Sequence, residues 1–403
     1  MSPFRNRNLL SLALAHFTVD FYSGVIPILL AVQAAPLGLT PGQIGLIALA
    51  YRVASSVVQP LFGMLADGGW ASLITLGGVL WQATFVALAG LASRFEVLLM
   101  LTTIGGLGSA AFHPPGAAGV PRFSTSEQRG GAMSVFLLGG TSGYAFGPLA
   151  AGFILDAYGP RGTLLLTALA AVVMPILYAA LRRMRRAAPD ASPASRSPTQ
   201  APSPAEAVGE SAALAVGLLI TLIAFRSWAA ESMSTYLPQI LVQGGEGVVF
   251  AGNISFLMAL GAAAGSLAAG FLSDRVGRHR VIIATLLGAA PMLAGVVRSQ
   301  GALLGVFAFG LGFCIQASLP LTLLLGQELT PGRTGMMSGL TLGFTFVAGG
   351  IGAAITGALA ESAGLLAVLA WFPVLPLVSA AAAAVLFAVD RARRRAEAEV
   401  SHV

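Results

Sequence analysis

His16 and Asp20 stand one helical turn apart in the apolar run HFTVDFYSGVIPILL, so on a helix they share a face. An ionisable side chain at membrane depth costs roughly 2.5 to 3.5 kcal/mol on insertion scales, so one that is kept there calls for a reason. Burial opposes the charge of a carboxylate, whereas a neighbouring His or Arg favours it. A group held between those two pulls can load and release a proton as its surroundings change. Asp20 is therefore the leading candidate for a proton carrier with His16 as its partner. A static His–Asp hydrogen bond that only fixes helix position is the plainer reading of the same spacing.

A second histidine, His113, is followed by Pro114, Pro115 and Gly116. Two prolines remove two backbone donors, so a distorted helix with freed carbonyls is expected there. Irregular backbone at membrane depth is tolerated where it borders a cavity, which makes His113 a further candidate for proton coupling. Arg52 and Gln59 fall on nearly one face of another apolar run. Arg52 is a permanent partner for Asp20, a cationic contact for an anionic substrate, or both in alternate states. Later in the chain Arg226 and Glu231 are placed about 140° apart around a helix, too far to pair with each other. Glu231, with Trp228 and Tyr236, reads as cavity-lining and as a second titrating acid. Arg226 is nearer a membrane face and can snorkel. Gln316 is a polar candidate of the same sort, and Phe17 and Tyr22 are candidate substrate contacts.

The elements that position these residues follow from composition. The 403 residues are 56% hydrophobic and 9% charged, more apolar surface than a water-soluble core can hide, so this is an integral membrane protein. Runs of about 20 apolar residues, each long enough to cross a bilayer as helix, fall at 9–31, 42–66, 72–92, 96–119, 130–156 and 161–181. Six more fall at 211–243, 248–273, 279–298, 302–327, 333–360 and 364–389, giving an all-α, polytopic chain of twelve transmembrane helices. All 22 basic residues are arginine. With the amino terminus inside, most of them collect on one side: Arg5 and Arg7, Arg122 and Arg129, Arg182 to Arg186, Arg196, Arg275 to Arg280, Arg333 and Arg391 to Arg395. The opposite loops hold only Arg94, Arg161 and Arg298, so both termini are expected in the cytoplasm. The positive charge then reports topology and contact with the lipid bilayer, and leaves a nucleic-acid partner without support. The lone Cys314 can form no internal disulfide, and the first apolar run continues too far to be a cleaved signal.

Between residues 182 and 210 the chain is rich in proline, serine and alanine, a flexible cytoplasmic linker between a six-helix bundle at 1–181 and another at 211–390, with a basic tail at 391–403. The halves repeat. Asp20 and Pro27 recur as Glu231 and Pro238 at one shared offset, and Arg129, Met133, Ser134 and Gly139 recur as Arg333, Met337, Ser338 and Gly343 at another. Gly139, Gly143 and Gly147 line one stripe of the fifth span, extended by Pro148 and Gly152, a surface for close helix packing that can also serve as a hinge or seal. Gly261 and Gly265 form a second such site.

The run GFLSDRVGRHR, Gly270 to Arg280, has a worn copy in GMLADGG, Gly63 to Gly69. Each joins two spans by a tight cytoplasmic turn in which Asp67 or Asp274 can cap the next helix, and Asp274 can pair with Arg275 or Arg278. This pair of turns resembles the loop signature of the major facilitator superfamily, and GYAFGPLAAG is similar to the fifth-helix motif of its proton-driven exporters. HFTVDFYSGVIPILL, SSVVQPLFGMLAD and FHPPGAAG look like the fosmidomycin-resistance family of bacterial exporters. There is one departure: Pro115 stands where that family commonly has Glu, so this chain does without that carboxylate or takes another substrate.

The resemblance implies two pseudo-symmetric six-helix bundles and a proton-coupled antiporter that expels small molecules or drugs across the bacterial inner membrane by alternating access. It places His16, Asp20 and His113 at the family's matching polar positions. Asp67, Gly147, Pro148, Asp274, Arg275 and Arg278 would act in conformational gating. The partners expected are a small-molecule substrate, protons and lipid, with no cofactor and no metal, and a monomer by analogy. A proton-coupled importer of a small organic anion, using Arg52 and Arg226 as anion contacts, is the alternative. An enzyme is disfavoured, because no thiol nucleophile pairs with a base and no metal-spaced His/Cys set occurs.

Overall fold

The computed structural model describes residues 6–123, 128–187, 210–328 and 334–401. Most of the expected linker, together with Arg5, Arg196 and Arg333, lies outside them. The described residues form helices and no strand: α1 (Arg7–Ala34), α2 (Pro41–Ser56), α3 (Gln59–Leu65), α4 (Ala71–Ala89), α5 (Phe95–Gly119), α6 (Arg129–Tyr158) and α7 (Thr167–Ala187). The series continues with α8 (Glu210–Gln243), α9 (Val248–Val276), α10 (Arg278–Arg298), α11 (Gly301–Glu328), α12 (Thr334–Ala363), α13 (Leu365–Ala370) and α14 (Val374–Ser401).

Ten described segments are long and apolar enough to cross a membrane. One of them, Pro41–Ala89, doubles back within its length, because Gly69 turns the chain at φ 98°. The 30-residue α6 is a further long helix. Taken with α13 and α14 as one interrupted pass, this is consistent with the twelve spans expected. Their ends agree with the apolar runs to within a few residues.

The chain divides into two compact units. The first gathers the residues up to 187 with Ser232–Ala259 and Ala353–Leu365; the second gathers 210–231, Leu260–Gly352 and the chain from Leu366 onward. In the first unit α1 lies along α6, and the glycine stripe is the reason it can. A Cβ at Gly139, Gly143 or Gly147 would press on the backbone carbonyls of Ala13, Phe17 and Phe21 respectively. Small residues let two backbones approach so closely, which replaces the hydrophobic drive that lipid cannot supply. Leu9, Leu12, Val19, Phe112, Phe136 and Leu177 fill the core around that seam. In the second unit Gly261 and Gly265 of α9 do the same against the carbonyls of Phe309 and Phe313 in α11. There the core is built on Leu222, Ile282, Leu286, Leu321 and Leu386.

Two local expectations are corrected. Asp67 and Asp274 do not cap the helices that follow them: the cap positions are Trp70 and Gly277, with no side-chain cap at either. Each acid lies three residues too early, and the turn itself is made by a glycine in the left-handed region, Gly69 at φ 98° or Gly277 at φ 90°. The prolines after His113 do not interrupt the helix either. α5 runs through Pro114 and Pro115 to Gly119, although each proline lacks a donor and its ring crowds the carbonyl one turn back.

Gly143→Ala should destabilise the protein by about 1–3 kcal/mol, the usual cost of overpacking. Gly77→Ala, where nothing lies within 4 Å of the added Cβ, should not. Thermal unfolding of the two variants in detergent at a single scan rate checks the contrast.

Candidate functional site

The α1–α6 seam carries polar chemistry at its centre. His16 is buried, with its ring stacked on Phe136 of α6 at a centroid distance of 4.1 Å. Its Nδ1 lies 2.9 Å from the Phe136 carbonyl oxygen and its Nε2 lies 3.2 Å from Asp20 Oδ2. From α5, His113 brings its Nε2 to 3.4 Å from Asp20 Oδ1, while its Nδ1 lies 2.8 Å from the Ser109 carbonyl oxygen one turn back. The two imidazoles meet edge to face at 5.1 Å. His16, Asp20 and His113, three separate candidates in the sequence, are thus one cluster. Their facing atoms all lie within 4.8 Å of one another, close enough to share protons or a bound cation. The Asp20 side chain is 21% exposed and that of His113 is 27% exposed, against 6% for His16.

Arg52 of α2 sits in the same unit. Its Nη2 donates to Tyr144 Oη at 3.4 Å, and Tyr144 Oη lies 2.9 Å from Ser234 Oγ. In the second unit, Arg226 of α8 does not snorkel. It is 1% exposed, its Nη2 donates to Ser227 Oγ at 3.1 Å, and its Nε has no hydrogen-bond partner among the described residues. A buried guanidinium with an unmet N–H is poised to take a ligand oxygen.

A helical membrane fold with acid–base groups packed into it agrees with what the chain resembles. The family model of the Major Facilitator Superfamily matches residues 9–254 and 245–402. The chain belongs to the major facilitator superfamily. It is 32% identical over 362 residues to the fosmidomycin resistance protein of Escherichia coli K12, covering 87% of this chain and 86% of that protein. It is 33% identical over 386 residues to YfnC, an uncharacterized MFS-type transporter of Bacillus subtilis 168, covering 92% and 91%. Among solved structures it is similar to an inward-facing, unoccupied bacterial homologue of the human lysosomal transporter Spinster, with TM-score 0.73, 17% identity and 96% and 97% of the two chains covered. The nucleoside transporter NupG gives TM-score 0.69, 14% identity and coverage of 95% and 99%. Those two likenesses concern the fold. The protein is a multi-pass membrane transporter of this superfamily, not an enzyme.

Other residues singled out in the transporter's sequence are placed as follows. Tyr22 is buried and donates to the Leu166 carbonyl at 2.7 Å, a packing contact. Phe17 lines an apolar groove of about 450 Å³ with Phe21, Phe146, Leu149, Phe153 and Leu169, away from charged groups. Gln59, the first residue of α3, turns back to donate to Ser55 O near the end of α2, 2.8 Å away. Tyr236 donates to both Pro41 O at 3.0 Å and Ala353 O at 2.9 Å, pinning three segments of the first unit. Glu231 packs against Gly349 and Trp228 against Gly352, both in the second unit. Gln316 there accepts from Ser266 Oγ through its backbone oxygen at 3.3 Å. Gly147 and Pro148 lie buried at the α1–α6 seam, beside Phe21 and Gly24. Asp67, Asp274 and Arg275 are exposed and Arg278 is half-buried.

One polar network had no counterpart among the sequence candidates. Tyr51 Oη donates to Ser23 Oγ at 2.7 Å, and Gln82 Nε2 donates to Ser23 Oγ at 3.0 Å and to Tyr51 Oη at 3.1 Å. All three are buried and tie α1, α2 and α4 together one turn beyond Asp20. The sequence signal is faint: single polar residues, Ser23, Tyr51 and Gln82, set in three separate apolar runs. Tyr51→Phe removes the shared hydroxyl and should lower stability by about 1–3 kcal/mol, read as a fall in Tm with helix content unchanged.

Proposed function

We propose that this transporter is a proton-coupled antiporter that exports small molecules across the bacterial cytoplasmic membrane by alternating access, with Asp20 as the proton carrier. The observation that carries the reading is the His16–Asp20–His113 cluster: one membrane-embedded carboxylate with an imidazole nitrogen facing each oxygen. Such an arrangement exists to hold protons, since a scaffold has no use for three titratable groups packed at membrane depth. Glu231 is a second acid for the same cycle. Arg52, with Tyr144 and Ser234 beside it, and Arg226 offer donors to the oxygens of a substrate. Both termini, the 182–210 linker and the arginine-rich turns face the cytoplasm. There Asp67, Asp274, Arg275 and Arg278 engage and release as the bundles 1–181 and 211–390 move, with Gly147 and Pro148 at the pivot. The transporter works as a monomer. Export is supported by the resistance functions that the names of relatives state and by the glycine stripe of α6. The unmet N–H of Arg226 favours an anionic cargo, and this is the feature that keeps uptake of an organic anion as the second reading.

The test is flux in proteoliposomes that hold a pH dye in an acidified lumen, challenged with phosphonates, organic acids and cationic drugs. A substrate that drives protons out of the lumen, in wild type and not in Asp20→Asn at equal folded protein, is the expected result. Proton-coupled flux that survives Asp20→Asn would sink the carrier assignment. Substrate and protons moving in the same direction would replace export by uptake. Arg226→Gln should weaken binding of an anionic cargo by about tenfold to a hundredfold, the worth of a hydrogen bond to a charged group, while leaving a cationic cargo unaffected. Equilibrium binding of the cargo found in the flux panel checks it.

A further inference from the structure

The protons in the His16–Asp20–His113 cluster can be counted, because both imidazoles are anchored. A carbonyl oxygen only accepts, so His16 Nδ1 carries a hydrogen towards Phe136 O at 2.9 Å and His113 Nδ1 carries one towards Ser109 O at 2.8 Å. The Ser109 hydroxyl, 3.2 Å from His113 Nδ1, can rotate to accept as well. With Nδ1 protonated, each neutral imidazole has a bare lone pair on Nε2. Those two lone pairs would point at the two oxygens of Asp20, 3.2 and 3.4 Å away. Against an ionised carboxylate both contacts would be repulsive.

We propose that His16, Asp20 and His113 form one relay that holds two protons when closed and one when open, and that His113 is the arm that swings away when a proton leaves. The inference rests on the reading of the cluster around Asp20 as the proton-coupling site. Each Nε2–oxygen contact becomes a hydrogen bond when one proton is placed in it, on the nitrogen or on the carboxyl oxygen. Two contacts take two protons, and the closed relay then has net charge +1 however they are distributed. Loss of one proton to water leaves net charge zero and one contact with no hydrogen in it. That contact opens.

The arm that opens follows from how each ring is held. His16 is stacked on Phe136, has Phe112 5.8 Å away, and is anchored to a carbonyl on another helix. His113 is more exposed and its anchor is local, one turn back on its own helix. Gly140 of α6 secures the His16 arm. A Cβ there would run into His16 Nε2 and would lie 2.6 Å from Asp20 Oδ2. It is a positioning residue, and only a bare backbone leaves the His16–Asp20 contact its space. The other charged or titratable groups close to the relay are Tyr51 and Arg52 of α2 and Tyr144 of α6. Arg52 keeps its charge throughout, and phenols hold their protons over the working range of a histidine, so the proton that moves belongs to the relay.

Nitrogen-15 NMR of histidine-labelled transporter in lipid reads the protonation of each ring nitrogen, with His16→Gln and His113→Gln supplying the assignments. At acidic pH both rings should be protonated on both nitrogens. As pH rises, His113 should become the neutral form with hydrogen on Nδ1 and a bare Nε2, while His16 stays imidazolium. In Gly140→Ala the order should be lost, His16 giving up its proton with or before His113. A neutral form of either ring carrying its hydrogen on Nε2, His16 releasing first in the wild type, or an unchanged order in Gly140→Ala would each overturn the relay. Should Gly140→Ala not fold, the wild-type spectra decide alone. The flux test stays separate: if proton coupling is lost in Asp20→Asn while the spectra contradict the tautomers, only the relay falls. If coupling survives Asp20→Asn, the carrier reading falls with it.

Discussion

Everything in the first unit is arranged around the fact that Asp20 cannot stand alone at membrane depth. A carboxylate there needs compensating hydrogens on both oxygens, and those hydrogens have to come from groups that are themselves satisfied. His16 supplies one side, but it is a satisfied donor only because the Phe136 carbonyl of α6 is within reach. That reach depends on α1 and α6 lying almost backbone to backbone, which Gly139, Gly143 and Gly147 allow. The glycine stripe is therefore part of the acid–base chemistry as well as of the packing. A side chain on the stripe would separate the helices and take the second-layer carbonyl away from the imidazole.

Asp20 and Arg226 are treated in opposite ways. Asp20 faces two imidazole nitrogens that can each take up a proton, so a change of charge can be met within the cluster. Arg226 is more deeply buried, yet receives a single neutral hydroxyl from the adjacent residue and keeps an unmet N–H. A guanidinium cannot relieve that by losing its proton. A carboxylate or imidazole can take up or lose a proton, whereas a guanidinium can only be matched by a partner. The division is the one that the proposed proton-coupled cycle requires.

Much of the fold was legible because membrane helices are governed by length and apolarity, and the apolar runs end within a few residues of the helices. The link between His16 and Asp20 was legible for a similar reason, since a one-turn spacing is a property of the helix itself. What could not be read were contacts between helices. His113 is nearly a hundred positions from Asp20, and nothing in its neighbourhood says which carboxylate it will meet. Tyr51, Ser23 and Gln82 each look ordinary, and only their packing makes them a network. The errors were local: an Asp near a helix start suggests a cap, but the turns were made by Gly69 and Gly277. Two adjacent prolines suggest a broken helix, but α5 continues through them to Gly119.

Pro115 can be weighed in the same terms. It stands two residues beyond His113, and two residues turn a helix by about 200°. A glutamate in that position would project from nearly the opposite side of α5 and would not compete with Asp20 for the His113 ring. The replacement of an acid by proline thus leaves the His–Asp–His cluster intact, and with it whatever proton chemistry the cluster performs. Pro115 is buried on its own side of the helix, where a carboxylate would have needed its own compensating donors. The departure at Pro115 therefore concerns the surface that this side of α5 packs against, and not the contacts that His113 makes with Asp20.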